Sequence, residues 1–205
     1  MRIGALVKQS FIDWEGKIVA VIFTKGCNFR CGYCHNPELV LPELFNRSSD
    51  ISEKEIFDFL KSKQSWLDGV VITGGEPTLH PDLEDFIRLI KAIGFPVKLD
   101  TNGTNPSILK KLIQENLVDY VAMDIKNVLE HDQYNKVANC NYTDLVNRIL
   151  QSIEILKKSS IGYQLRTTVI PEIHTKKIID RLKSEFSYCN YRLQEYREGV
   201  TVDSF

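Results

Sequence analysis

Nowhere does this chain hold the ~20 consecutive apolar residues that a bilayer-spanning helix needs, and neither sign of charge prevails. Its 26 Lys and Arg are matched by 27 Asp and Glu, for a formal net charge of -1. The first absence argues against a membrane span. The second removes the broad basic field that draws nucleic acid or an anionic membrane. The N-terminus, MRIGALVKQSFIDWEGK, lacks the apolar core of a secretory signal. The expected location is therefore cytoplasmic, where thiols stay reduced. Low-complexity tracts and internal repeats are missing as well. Cysteines are few and odd in number, five in all, and three of them stand together. That distribution suits metal binding better than a disulfide scaffold.

What is present is an ordinary globular composition: 205 residues, 43% hydrophobic and 26% charged. This is enough for one domain, 1–205, with a core of its own. Short β-branched runs alternate with helical patterns. Strands are expected at 18–23, 70–73, 97–100, 118–124, 163–170 and 191–195. Between them, Ser52 and Glu55 make a capping box ahead of Ile56. Pro81 suits a first helical turn that Gly94 closes. Asn105 and Pro106 start a third helix, Leu145 to Lys158 form a fourth, and Thr175 precedes a fifth. Strand–helix alternation with near-continuous apolar strands predicts a parallel sheet covered by helices. Six strands are too few for a full eight-strand barrel, and the chain is shorter than the ~250 residues typical of one. A partial, open (β/α)6 barrel fits; an open doubly wound sheet is the alternative.

The chemistry gathers where these strands end. Cys27, Cys31 and Cys34, spaced C-x3-C-x2-C, follow the first strand. Full ligation of a cubane iron–sulfur cluster takes four cysteines, so three leave one iron open for a substrate or cofactor. The same spacing also admits a structural zinc knuckle with a distant fourth ligand. Gly74, Gly75 and Glu76 follow the second strand; glycines let a ligand approach the backbone and a carboxylate accepts from an ammonium group. Asp100, Thr101 and Asn102 end the third strand, Asp124 and Lys126 the fourth. Arg166 lies inside the apolar strand YQLRTTVI, where it is either paired inward or turned to solvent. In parallel α/β folds such strand ends share one mouth. Cys140 and Cys189 stand alone and read as ordinary thiols.

The cysteine trio with Tyr33 before Cys34, followed by TGGEP at Thr73 to Pro77, resembles the radical S-adenosylmethionine (SAM) enzymes. The wider segments SFIDWEGKIVAVIFTKGCNFRCGYCHNPELV, GVVITGGEPTLHPDLEDF, VKLDTNG and VDYVAMDIK are similar to the activating enzymes of glycyl radical enzymes, and within these to the anaerobic ribonucleoside-triphosphate reductase activating proteins. The resemblance runs in register from Gly4 to Lys126. It implies the partial barrel and a [4Fe-4S] cluster on the three cysteines with SAM on the open iron. It places Gly74, Gly75 and Glu76 at the SAM amine, and Tyr33 and His35 near the adenine. Asp100, Thr101, Asn102, Asp124, Lys126 and Arg166 are implied beside SAM, with a monovalent cation near Asp100 and Asp124. The implied activity is hydrogen abstraction from a glycine Cα in a partner enzyme, with electrons from a flavodoxin or ferredoxin. No cysteine lies between Cys34 and Cys140, so the additional cluster modules of some activases are not expected. The stretch RLQEYREG lacks the histidine usual in formate-lyase activators, which favours the reductase as partner. A small-molecule or nucleobase enzyme of the deazaguanine synthase type, or a non-catalytic metal-binding module, are the alternatives.

Overall fold

The β-branched runs form strands whose outer face is covered by helices in the computed structural model, which describes residues 1–204. The strands are β1 (Ile3–Ser10), β2 (Val19–Thr24), β3 (Gly69–Gly74), β4 (Val97–Thr101), β5 (Tyr120–Asp124), β6 (Gly162–Val169) and β7 (Tyr191–Glu195). The helices are α1 (Pro37–Val40), α2 (Glu53–Ser62), α3 (Leu83–Ile93), α4 (Pro106–Gln114), α5 (His131–Ala138), α6 (Leu145–Lys158) and α7 (Lys176–Glu185). The sheet has the order β1-β2-β3-β4-β5-β6-β7, and among the described residues no strand pairing joins its two edges. The six strands from β2 to β7 run parallel, as expected of a partial open barrel; the doubly wound alternative, which requires a reversal of strand order, is excluded.

Three elements escaped the sequence reading: β1, α5 and the four-residue α1. β1 pairs antiparallel with β2 at the open edge, and most of its residues are partly buried or exposed. A one-sided edge strand has no continuous apolar run to announce it. α5, HDQYNKVA, is mostly polar and buries only Tyr134, Val137 and Ala138. The five expected helices form. Ser52 accepts from the Glu55 backbone while Glu55 reaches back to Ser52, completing the capping box. Gly94 ends α3 at φ 106°, a conformation that costs a glycine little. Pro81 is displaced from its expected place: α3 begins at Leu83, and Pro81 lies in the turn before it.

Strand alternation sorts the interior into two zones. One set of side chains, among them Ile22, Ile72, Leu99, Val121 and Leu165, packs outward under the helices in the main core. The other set faces the barrel axis. At its closed end Val19, Val21 and Val71 pack with Trp14, which the loop between β1 and β2 folds under the sheet. At the carboxyl ends the axis-facing residues become polar, and there the barrel opens.

Candidate active site

The loop after β2 that carries the cysteines is fixed from several sides. Gly26 donates to Leu39 O and accepts from Glu76 N, while Arg30 N donates to Ala138 O at the end of α5. Gly75 packs so closely on Gly26 that a Cβ there would meet the Gly26 carbonyl oxygen at 2.0 Å, so the glycine joins the two loops backbone to backbone. Asn28 donates to Thr104 Oγ1 at 2.7 Å and accepts from Asn102 Nδ2 at 2.7 Å, tying the loop to the end of β4. Behind the loop, Val202 N donates to Cys34 O and Asp203 N to Gly32 O. Val202 is buried against Val40, Leu41 and Leu44, with Cys27 and Cys34 packed on the same cluster.

Every residue singled out from the sequence lines one cavity at this mouth: the three cysteines, Tyr33, His35, Gly74, Gly75, Glu76, Asp100, Thr101, Asn102, Asp124, Lys126 and Arg166. All three cysteines are free thiols, and neither Cys140 nor Cys189 reaches the cavity. Burial pushes the Cys27 and Cys31 thiols up to about 12. Phe29 N–H donates to Cys27 Sγ at 3.4 Å, a bond that favours the thiolate. Three thiols facing one cavity without a fourth are the donor set of a cubane with one iron open, in which each thiolate takes a different iron.

Opposite the thiols, five charged side chains alternate in sign across the sheet. Lys98 Nζ lies 3.2 Å from Asp100 Oδ1. Arg166 Nη2 lies 3.0 Å from Asp100 Oδ2, and Arg166 Nε donates to Asp124 Oδ1. Lys126 Nζ lies 2.9 Å from Asp124 Oδ2 and 5.7 Å from the centre of the Tyr33 ring. Arg166 therefore turns inward, and the solvent-facing alternative is excluded. Burial works against ionised Asp124, but Arg166 and Lys126 overcome it and hold the carboxyl below its usual range. Burial likewise opposes charge on Lys126, and Asp124 outweighs it, raising the amine. The guanidinium spans the gap between Asp100 and Asp124, where the monovalent cation was expected.

Two of the expected cofactor contacts are largely spent inside the protein. Glu76 is 1% exposed. Its Oε1 accepts from Thr78 N, Thr78 Oγ1 and Thr101 Oγ1, and its Oε2 from Asn102 N at 2.6 Å. Burial raises its pKa and those bonds oppose the rise. A carboxylate has about four acceptor directions, so only Oε2 has capacity to spare. Asn102 uses its amide oxygen on Thr104 and its amide nitrogen on Asn28. His35 sits at the rim, exposed, stacked on Tyr196 at 5.5 Å with Nδ1 3.4 Å from Val200 O.

Sequence reasoning missed Lys98, Thr168 and His174. Lys98 and Thr168 share the inward parity of Asp100 and Arg166, two residues away on the same strands, and that period was the available signal. His174 is 3% exposed; Ile170 N–H donates to its Nδ1, which leaves Nε2–H to donate to Lys126 O at 3.0 Å. A lone histidine in a loop carries no such signal.

A parallel open barrel whose first βα loop brings three unpaired thiols to a charged mouth defines the class: the chain belongs to the Radical SAM superfamily, which it matches over residues 21–183. It is a radical SAM enzyme. It is 36% identical to a Methanocaldococcus jannaschii protein titled "Putative glycyl-radical enzyme activating enzyme", over 98% of this chain and 82% of that one. It is 31% identical to 7-carboxy-7-deazaguanine synthase of Methanothermobacter thermautotrophicus, over 83% of this chain and 70% of that one. The fold matches Streptococcus suis SuiB bound to S-adenosylmethionine with a TM-score of 0.68 at 15% identity, over 91% of this chain and 42% of SuiB.

Proposed function

We propose that the protein activates a glycyl radical enzyme by abstracting a hydrogen from a glycine Cα in that partner. The observation that carries the reading is the set of three free thiols facing a cavity that no other cysteine reaches. The relationship to the M. jannaschii protein, which extends over nearly the whole chain, supports the choice of reaction. A [4Fe-4S] cluster and SAM, when bound, supply one-electron reductive cleavage and radical hydrogen abstraction; the protein supplies orientation, charge and exclusion of water.

Cys27, Cys31 and Cys34 would hold the cluster. The backbone carbonyls of Gly74 and Gly75, with the spare capacity of Glu76 Oε2, would accept from the methionine ammonium. Lys126 and Arg166 would face its carboxylate. Tyr33 and His35 would border the adenine, and Asp100 and Asp124 would keep both cations oriented. Thr101 and Asn102 would act by fixing the loops around them. A separate monovalent cation is not needed to neutralise Asp100 and Asp124, because Arg166 and Lys126 together balance them.

The partner in this reading is an anaerobic ribonucleotide reductase, and the electron donor a flavodoxin or ferredoxin. The lack of cysteine between Cys34 and Cys140 and of histidine in RLQEYREG supports that branch. Anaerobic incubation of the reduced, reconstituted protein with SAM and the candidate reductase tests it. A glycyl radical signal that requires both proteins is expected. The relationship to deazaguanine synthase favours a second reading, chemistry on a small nitrogen heterocycle. SAM consumption stimulated by such a heterocycle, with no radical on the reductase, would select that reading.

A further inference from the structure

Beneath the cavity, deep in the barrel, a second lysine approaches the ion pairs of the mouth. Lys98 is 6% exposed, and its ammonium has one charged partner, Asp100. It donates to Asp13 O on the loop that closes the barrel and lies 3.2 Å from Asp100 Oδ1, an oxygen with no hydrogen-bond partner of its own. Burying an ammonium group is costly unless it is paired. A packed apolar residue would serve the barrel floor at lower cost.

The charges explain what the lysine adds. Lys98, Arg166 and Lys126 alternate with Asp100 and Asp124, leaving one positive charge unmatched along the line. Without Lys98 the line is neutral, and Arg166 and Lys126 are consumed by the aspartates. We propose that Lys98 is a positioning residue for ligand binding: it offsets the charge of Asp100 from below and so frees the charge of Arg166 and Lys126 for an anionic carboxylate at the mouth. This rests on the reading of SAM as the ligand.

Equilibrium binding to the anaerobically reconstituted protein tests it, using SAM and 5′-methylthioadenosine, which lacks the amino-acid carboxylate. Lys98→Met should weaken SAM binding by about tenfold or more while leaving 5′-methylthioadenosine within about twofold. Lys98→Arg should restore SAM binding. The double variant Lys98→Met with Asp100→Asn removes one charge of each sign and should recover the preference for SAM over 5′-methylthioadenosine. A merely structural lysine would weaken both ligands alike, or neither, and the double variant would recover nothing; either result overturns the proposal. SAM binding by the unaltered protein reports separately on the underlying reading of the site.

Discussion

Arg166 Nη2 lies 3.0 Å from Asp100 Oδ2, so a side chain of β6 reaches over β5 to grip the end of β4. The same guanidinium bonds Asp124 on the strand between. Arg166→Met leaves buried Asp100 and partly buried Asp124 without their shared partner. It should cost about 3 kcal/mol of stability and weaken SAM binding. Urea unfolding and ligand titration of the variant measure the two effects.

The same network predicts the acid limit of the fold. The folded-state pKa of Asp124 is depressed, so its contribution is complete above its unfolded value, ~3.9, and is lost as pH falls toward the lower folded value. Stability should therefore drop below about pH 4. Asp124→Asn should flatten that part of the profile, as read by unfolding midpoints across pH.

His174 sets a second, milder window. Burial lowers its folded-state pKa below the unfolded ~6.5. The neutral ring accepts from Ile170 N and donates to Lys126 O, and protonation would set an N–H against the Ile170 N–H. The contribution is present above about pH 6.5 and is lost as pH falls through the folded value. His174→Gln should remove this step from the pH profile of unfolding.

Much of this was legible in the sequence where local chemistry decides. The capping box at Ser52 and Glu55 and the glycine at position 94 specify helix ends through bonds within a few residues, and both form as expected. The six parallel strands follow from their apolar runs. β1 was not legible, because an edge strand buries one face only and its pairing is fixed by β2, not by its own composition. The strand ends announced which residues meet, but not how they divide their bonds. Glu76 offered a free carboxylate in the sequence; in the fold four donors from Thr78, Thr101 and Asn102 claim it, and those partners become visible only once β3 and β4 lie side by side.

Glu76→Ala strips the acceptor from those four donors in a dry site. Each unmet buried donor costs about 1–3 kcal/mol, so the variant should be severely destabilised. Glu76→Gln should be intermediate, since its amide nitrogen would face Asn102 N–H or its oxygen would lose the Oε1 partners. Thermal unfolding of the two variants gives the order.

Gly75→Ala should fail for a steric reason, because its Cβ would meet the Gly26 carbonyl oxygen at 2.0 Å. Backbone cannot yield there without moving the cysteine loop. The variant should lose iron uptake more than it loses secondary structure, as measured by iron content beside far-ultraviolet circular dichroism.

Iron and sulfide analysis of the anaerobically reconstituted protein, followed by electron paramagnetic resonance of the reduced sample with and without SAM, addresses the three-thiol site itself. The expected result is a four-iron cluster whose spectrum shifts when SAM is added, and which is lost when Cys31 is replaced by alanine. A spectrum indifferent to SAM, or stoichiometric zinc in place of the cluster, would contradict the account.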